Sequence, residues 1–302
     1  MIQSSSAAVI DLGTNSIKFI LAEKTSENKL HIIHEETAEV RIGSGIGQSE
    51  PVLEERAIER VSDTIVSLIK IKEHYQIEPI RIVATSAARE AENRNHLQET
   101  IKAKTGVQLE ILSGETEAYY IGQAIQMDAR YQKIGVLNSI DLGGGSLEWI
   151  HLNNNHVEKA LSLPLGAVRI TEQVIKEPAQ AISKDVIVTI ENHVINSLSK
   201  NEIILSAQCP LFGSGGAFYI LKQVLKKGSP FTQKDIQKLA LASAHLPIQG
   251  RIDDLNIPAK RADIIPAALI TIATFMNHFD IYQIEHSKCS LKMGILKEML
   301  GL

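Results

Sequence analysis

Val9-Ile10-Asp11-Leu12-Gly13-Thr14-Asn15-Ser16, near the N-terminus, returns as Ser139-Ile140-Asp141-Leu142-Gly143-Gly144-Gly145-Ser146. Each stretch is an apolar run ending in Asp, then a glycine-containing turn with Ser. Alternating apolar residues follow: Ile17, Phe19 and Leu21 after the first copy, Leu147 and Trp149 after the second. The pattern predicts strand, tight turn, strand in both places. Glycine permits positive φ in the turn and lets backbone N–H groups come close to an anion. An Asp at the strand end suits a hydrated divalent cation or a reacting water. Two such hairpins 130 positions apart predict two similar domains gripping a phosphate chain between them.

The rest of the composition fits that reading. With 302 residues and 44% hydrophobic content, the chain can form two domains, each with its own core. A net charge of −4 argues against a broadly basic nucleic-acid-binding surface, although a local Arg cluster with Mg²⁺ can still make one cleft positive. The two cysteines, Cys209 and Cys289, form neither a metal-ligand pair nor a disulfide framework. Met1 to Ser6 lacks the basic and apolar regions of a signal peptide, and no apolar run reaches the roughly 20 residues of a membrane helix. The expectation is a cytoplasmic enzyme with no membrane and no nucleic-acid partner. Its oligomeric state is left open, a homodimer being one option.

Strands are predicted at Leu30–His34 and Thr37–Ile42, then a helix from Leu53 to about Gln76, a strand at Ile80–Thr85, and a helical stretch carrying Arg89. A helix at His96–Lys104 and a strand at Val107–Leu112 lead to a helix that opens at Ser113, a suitable N-cap, and runs to about Gln126. The second half has strands at Gly135–Asp141, Leu147–Leu152 and Val157–Leu163, and helices at about Val168–Lys176 and Asp185–Leu198. A strand end at Leu211–Gly213 feeds a helix reaching Lys226, another helix follows Thr232, and a long apolar helix spans Asp263 to Asn277 before a final strand and helix. This is a mixed α/β order in each half. The boundary is set at residues 1–126 and 127–302.

Hydrolysis of a phosphoanhydride needs a cradle for negative oxygens, a positioned water, a group to orient or deprotonate it, and usually Mg²⁺. Gly13, Thr14, Asn15 and Ser16 in one turn, and Gly143, Gly144, Gly145 and Ser146 in the other, can supply the cradle. Gly213-Ser214-Gly215-Gly216, a Gly-rich loop between a strand and a helix, can put a phosphate at a helix N-terminus, or serve close strand–helix packing. Glu148 lies two residues after Ser146 and shares its face, so it can join Asp141 in holding Mg²⁺; an exposed strand Glu is the alternative. Arg89 follows a strand end, where ligands of α/β sheets collect, and Arg suits phosphate oxygens. Arg261, Arg169 and Arg41 are weaker candidates. Taken alone, Glu117 reads as ordinary acidic charge in a first helical turn.

Together these motifs resemble the exopolyphosphatase and guanosine pentaphosphate phosphohydrolase family. The resemblance rests on Asp11 to Ser16, Ala84-Thr85-Ser86-Ala87-Ala88-Arg89, Ser113-Gly114-Glu115-Thr116-Glu117-Ala118 and Asp141 to Ser146. It extends through Leu165-Gly166-Ala167-Val168-Arg169, Gly213 to Gly216 and Arg261-Ala262-Asp263. It implies two ribonuclease-H-like domains, as in actin, Hsp70 and the sugar kinases, with an active-site cleft between them. It also implies Mg²⁺-dependent release of terminal phosphate from inorganic polyphosphate, or of the 5′ γ-phosphate from guanosine pentaphosphate. Glu117 would be the base, Asp141 and Glu148 acidic site residues, and Arg89 the substrate-binding Arg; Asp11, from its strand-end position, is a further candidate metal carboxylate. Gly213 to Gly216 and Arg261 would join the phosphate contacts. An ATP-dependent kinase of the same fold and a non-catalytic alarmone or polyphosphate sensor are the other readings. Leu147 stands where the family usually has Thr, and Ala267 where it often has Gly. Because the sequence ends at Leu302, without the extra C-terminal helical domains of longer relatives, lower processivity or shorter preferred substrates are expected.

Overall fold

The computed structural model describes residues 5–203, 205 and 209–302. Their contacts divide the chain into two compact units: the chain up to Lys133 rejoined by Cys289–Leu302, and Ile134–Lys288. The first unit runs β1 (Ser6–Leu12), β2 (Ser16–Lys24), β3 (Leu30–Glu39), α1 (Glu55–His74), β4 (Ile80–Ala84), α2 (Ser86–Glu90), α3 (Arg94–Thr105), β5 (Leu109–Ile111) and α4 (Gly114–Met127). Its sheet has the order β3-β2-β1-β4-β5. Three antiparallel strands form a meander, and β4 and β5 run parallel to β1 after helical crossovers. Strand β1 is central and buried almost throughout, which explains its continuous apolar run of Ala, Val and Ile.

The second unit repeats the plan. It contains β6 (Val136–Leu142), β7 (Leu147–Asn153), β8 (His156–Leu163), α5 (Ala167–Val174), α6 (Lys184–Ser199), β9 (Leu211–Gly215) and α7 (Gly216–Leu225). It continues with β10 (Phe231–Thr232), α8 (Gln233–His245), α9 (Ile248–Asp253), a single 3-10 turn at Ala259–Arg261, α10 (Ile265–His278) and β11 (Gln283–His286). The order β10-β11-β9-β6-β7-β8 contains the first sheet's arrangement, β6 replacing β1, with β10 added at one edge. The copying extends to irregularities: a register shift between Leu21 and Ala22 in the first sheet recurs between His151 and Leu152 in the second. Both units are ribonuclease-H-like α/β domains. Helix α10 is apolar around most of its circumference because α5, α6, α7 and α8 all pack on it.

Three expectations need correction. The two strands expected between Leu30 and Ile42 are one strand, β3, ending at Glu39. Its polar centre, His34-Glu35-Glu36, is tolerated because β3 is an edge strand with much of its surface in water. Gly213 to Gly216 is no loop: β9 runs into α7 directly, with Gly215 at φ +101° as the joint. The second domain does not extend to residue 302 either. The last helix, α11 (Leu291–Leu300), returns to the first unit and packs on α4 and β1. Its buried side, including Leu291, Ile295, Leu296 and Leu300, packs on α4, whose own buried residues include Ile121 and Ile125. Among the described residues no helix is long and apolar enough to cross a membrane.

Candidate functional site

The two turns are closed identically. Gly13 N–H donates to Ser16 O at 3.0 Å, and Gly143 N–H donates to Ser146 O at 3.0 Å. A later segment then holds the carbonyls of each turn. In the first unit, Gly43 N–H donates to Thr14 O at 2.9 Å, while Val40 N–H (3.2 Å) and Arg41 N–H (3.0 Å) share Asn15 O. In the second, the start of α5 does the same work: Ala167 N–H reaches Gly143 O (3.0 Å), and Val168 (2.8 Å) and Arg169 (3.2 Å) reach Gly144 O. Arg169, itself buried, adds Nε to Gly145 O at 2.7 Å. A trans peptide directs its C=O and N–H oppositely. Anchoring three successive carbonyls on the α5 side therefore turns the N–H groups of Gly144, Gly145 and Ser146 away from α5, the arrangement of an anion nest. By the same argument Asn15 and Ser16 turn their N–H groups away from the 40–43 segment.

The reason for the glycines differs from expectation. Gly13, Gly143, Gly144 and Gly145 are not among the residues at positive φ. Clearance matters at Gly166, which packs on the second turn: a Cβ there would lie 2.2 Å from Gly145 C and 2.3 Å from both Gly144 O and Ser146 N, whereas a Cβ on Gly143 would meet Ser146 O only at 3.4 Å. Thr14, Asn15, Ser16 and Ser146 are all buried. The Asn15 side chain is partly engaged, its Oδ1 accepting from Arg41 Nε at 3.2 Å.

In the first unit the structure brings Arg89 and Glu117 together. Arg89 Nη1 donates to Glu117 Oε2 at 3.1 Å and to Leu112 O at 2.9 Å. Helix α4, opened by the Ser113 side chain accepting from Thr116 N–H, presents Glu117 in its first turn, nearly buried. The guanidinium thus fixes where the Glu117 carboxylate lies.

Asp141 and Glu148 are direct partners in the β6–β7 register, and Glu148 Oε1 accepts from Ser162 Oγ at 2.7 Å. Ser214 is the β9 partner of Asp141. Arg261 does lie against the Gly213–Gly216 segment: a Cβ on Gly216 would be 2.2 Å from Arg261 Nη1. The fully buried Arg251 supports that arrangement, donating to Ala262 O (2.9 Å), Ser243 O (2.8 Å), Pro178 O (2.6 Å) and Gln180 O (2.7 Å).

Among the described residues no group of three or more His, Cys, Asp and Glu side chains comes together to hold a metal ion. Asp11 faces Lys18, its cross-strand partner, with Nζ 3.6 Å from Oδ2. Mg²⁺, however, keeps several waters and is often held by only one or two carboxylates with substrate phosphates, so the adjacent Asp141 and Glu148 suit it.

Sequence reasoning missed Lys18, Ser162, Arg251 and Lys292. Lys292, from α11, bonds Glu35 on β3, and burial pushes its ammonium pKa down, with Glu35 opposing. Only Gly294, an isolated glycine in an apolar helix, hinted at the close packing of that segment.

The chain is thus a pair of duplicated ribonuclease-H-like units, each with an anchored, glycine-containing turn after a strand-end Asp. The family model described as the Ppx/GppA phosphatase family matches residues 20–302, and the chain belongs to that family. It is 27% identical over 289 residues to a bifunctional 3-dehydroquinate synthase/phosphatase of Fusobacterium nucleatum, covering 90% of this chain and 43% of that one. It is 32% identical over 178 residues to exopolyphosphatase 2 of Mycobacterium tuberculosis, covering 56% of this chain and 54% of that one. The chain spans about half the length of the curated relatives it matches. In fold it is similar to an exopolyphosphatase from Cytophaga hutchinsonii (TM-score 0.86, 23% identity, 98% of each chain). It is also similar in fold to the Aquifex aeolicus member of the Ppx/GppA family (TM-score 0.80, 24% identity, 98% of each chain).

Proposed function

We propose that the protein is a phosphoanhydride hydrolase that releases terminal orthophosphate from inorganic polyphosphate. The observation that carries this reading is the pair of identically closed turns, whose carbonyls are anchored so that their N–H groups are turned outward. Its support from similarity is a relative named exopolyphosphatase. In this reading Gly143 to Ser146 and Gly13 to Ser16 hold phosphate oxygens through backbone N–H groups and the Ser16 and Ser146 hydroxyls, with Arg89 and Arg261 as further donors. Glu117 accepts a proton from the attacking water. A water O–P bond forms as the bridging P–O bond breaks, and the shortened chain leaves with the electron pair of that bond. Asp141 and Glu148 would hold Mg²⁺, which when bound neutralises charge on the phosphate oxygens.

The test is phosphate release from long-chain polyphosphate and from guanosine pentaphosphate, side by side, with Mg²⁺ and with EDTA. Mg²⁺-dependent release from polyphosphate is expected. Preference for the nucleotide would move the substrate to guanosine pentaphosphate, and transfer of phosphate to an added acceptor would make the protein a kinase. Glu117→Gln should lower kcat by about 10²–10⁴-fold, with a much smaller change in KM. Near-normal turnover in that variant would remove Glu117 from the reaction.

A further inference from the structure

The duplication supplies an internal comparison. Residues directly paired across strands share a face of the sheet. In the first unit, one such row reads Thr37 on β3, Lys18 on β2, Asp11 on β1 and Val83 on β4. The matching row in the second unit reads Ser162 on β8, Glu148 on β7, Asp141 on β6 and Ser214 on β9. Two positions differ in kind. Where the first row has its own cation, Lys18, the second has a carboxylate, Glu148. Where the first row ends in an apolar side chain, Val83, the second ends in a hydroxyl.

Glu148 is only 1% exposed, and its row brings no positive charge to it. Two neighbouring carboxylates in such a place favour a cation from outside the row. Ser162 already serves Glu148 by donating its hydroxyl. Ser214 is different: it is 4% exposed, and its Oγ has no hydrogen-bond partner among the described residues. A buried hydroxyl left without a partner destabilises a fold, so its presence beside Asp141 calls for a ligand. The backbone just after Ser214 runs close to the carboxylate: a Cβ on Gly215 would sit 2.9 Å from Asp141 Oδ1. Ser139 Oγ is also unpartnered, but its register partners are Ile150 and Phe212, not a carboxylate.

We propose that the Ser214 hydroxyl binds a water of the hydrated divalent cation held at Asp141 and Glu148, making Ser214 an outer-shell member of the cation site. The inference rests on the reading of Asp141 and Glu148 as the cation-holding pair.

The experiment is a Mn²⁺ titration of the whole chain followed by electron paramagnetic resonance of free Mn²⁺, without substrate, for wild type, Asp141→Asn and Ser214→Ala. Thermal unfolding without metal is recorded for each. Asp141→Asn should abolish binding, and Ser214→Ala should weaken it by about tenfold, in line with losses of outer-shell partners. Metal-free Ser214→Ala should melt no lower than wild type, because it only removes an unpaired polar group. Binding lost in Asp141→Asn but unchanged in Ser214→Ala would overturn the role of Ser214 and leave the carboxylate pair standing. Wild type without Mn²⁺ binding would overturn both. A parallel calorimetric titration with inorganic phosphate, without metal, separates the other use of a hydroxyl. Weakened phosphate binding with intact Mn²⁺ affinity in Ser214→Ala would assign Ser214 to the anion and overturn the proposal.

Discussion

At the scale of single residues, the turn at Gly143 to Ser146 is held by atoms that have few substitutes. The Arg169 side chain reaches Gly145 O through Nε, and the residue is buried. Arg169→Met should cost about 1.5–3 kcal/mol of stability, the range for a hydrogen bond involving a charged donor. Arg169→Lys should not restore it, because an ammonium lacks the planar fork that Arg places here. Urea unfolding of both variants, compared with their KM and kcat, tests this; full recovery in Arg169→Lys would show that charge alone suffices. Gly166→Ala is the sharper case. Its Cβ would meet backbone, not a flexible side-chain end, at 2.2 Å, so the turn itself must shift. A loss of about 10²-fold in kcat/KM is expected for such a displacement of binding groups. Wild-type kinetics in Gly166→Ala would dissociate the turn from turnover.

At the scale of elements, α5 spends its N-terminal donors on the turn's carbonyls, so its effect on a phosphate is indirect. Elsewhere a helix start is secured by side chains. Thr232 and Asp235 form a reciprocal capping box on α8. The Asp235 pKa is lowered from 3.8 to about 2, first by the hydrogen bond from Lys227 and then by that from the Thr232 hydroxyl. A carboxyl whose folded pKa is depressed stabilises the fold fully above its unfolded pKa. That contribution should therefore fade as pH falls from about 4 towards 2. Asp235→Asn should flatten the stability–pH profile in that window by about 1–2 kcal/mol, reduced from the full linkage value by solvent screening. Denaturant midpoints measured across those pH values provide the check, and parallel profiles for variant and wild type would reject it.

At the scale of the whole molecule, the chain leaves its first unit after Lys133 and comes back at Cys289. Helix α11 fits against α4 so closely that a Cβ on Gly294 would lie 1.7 Å from Tyr120 O. Around that contact, Tyr120 OH donates to Glu298, Lys297 Nζ donates to Gln123 and Gln126, and Lys24 Nζ donates to Gly301 O. Gly294→Ala must push α11 off α4 and should cost about 3 kcal/mol, the upper part of the usual overpacking range. Hydrogen exchange would show faster exchange of β1 amides, since α11 also packs on β1. Unchanged protection there would mean that α11 is not part of the first unit's cooperative core.

Local pattern alone was enough for the two hairpins, their turns and their repetition, though it split β3 in two. An apolar run ending in Asp, then glycine, then alternation, is a short-range signal, and strand pairing in a hairpin is set by neighbours in sequence. The capping residues Ser113 and Thr232 were legible for the same reason. Tertiary structure decided what those turns rest on: residues 40–43 in one case and 167–169 in the other, both distant in sequence. It also decided that Asp11 meets a lysine while Asp141 meets a glutamate, that Arg89 lies on Glu117, and that the last helix belongs to the first unit. A sequence pattern records which residues share a strand or helix face. Which faces meet depends on how burial and hydrogen bonding are satisfied over the whole chain, and only the folded molecule expresses that.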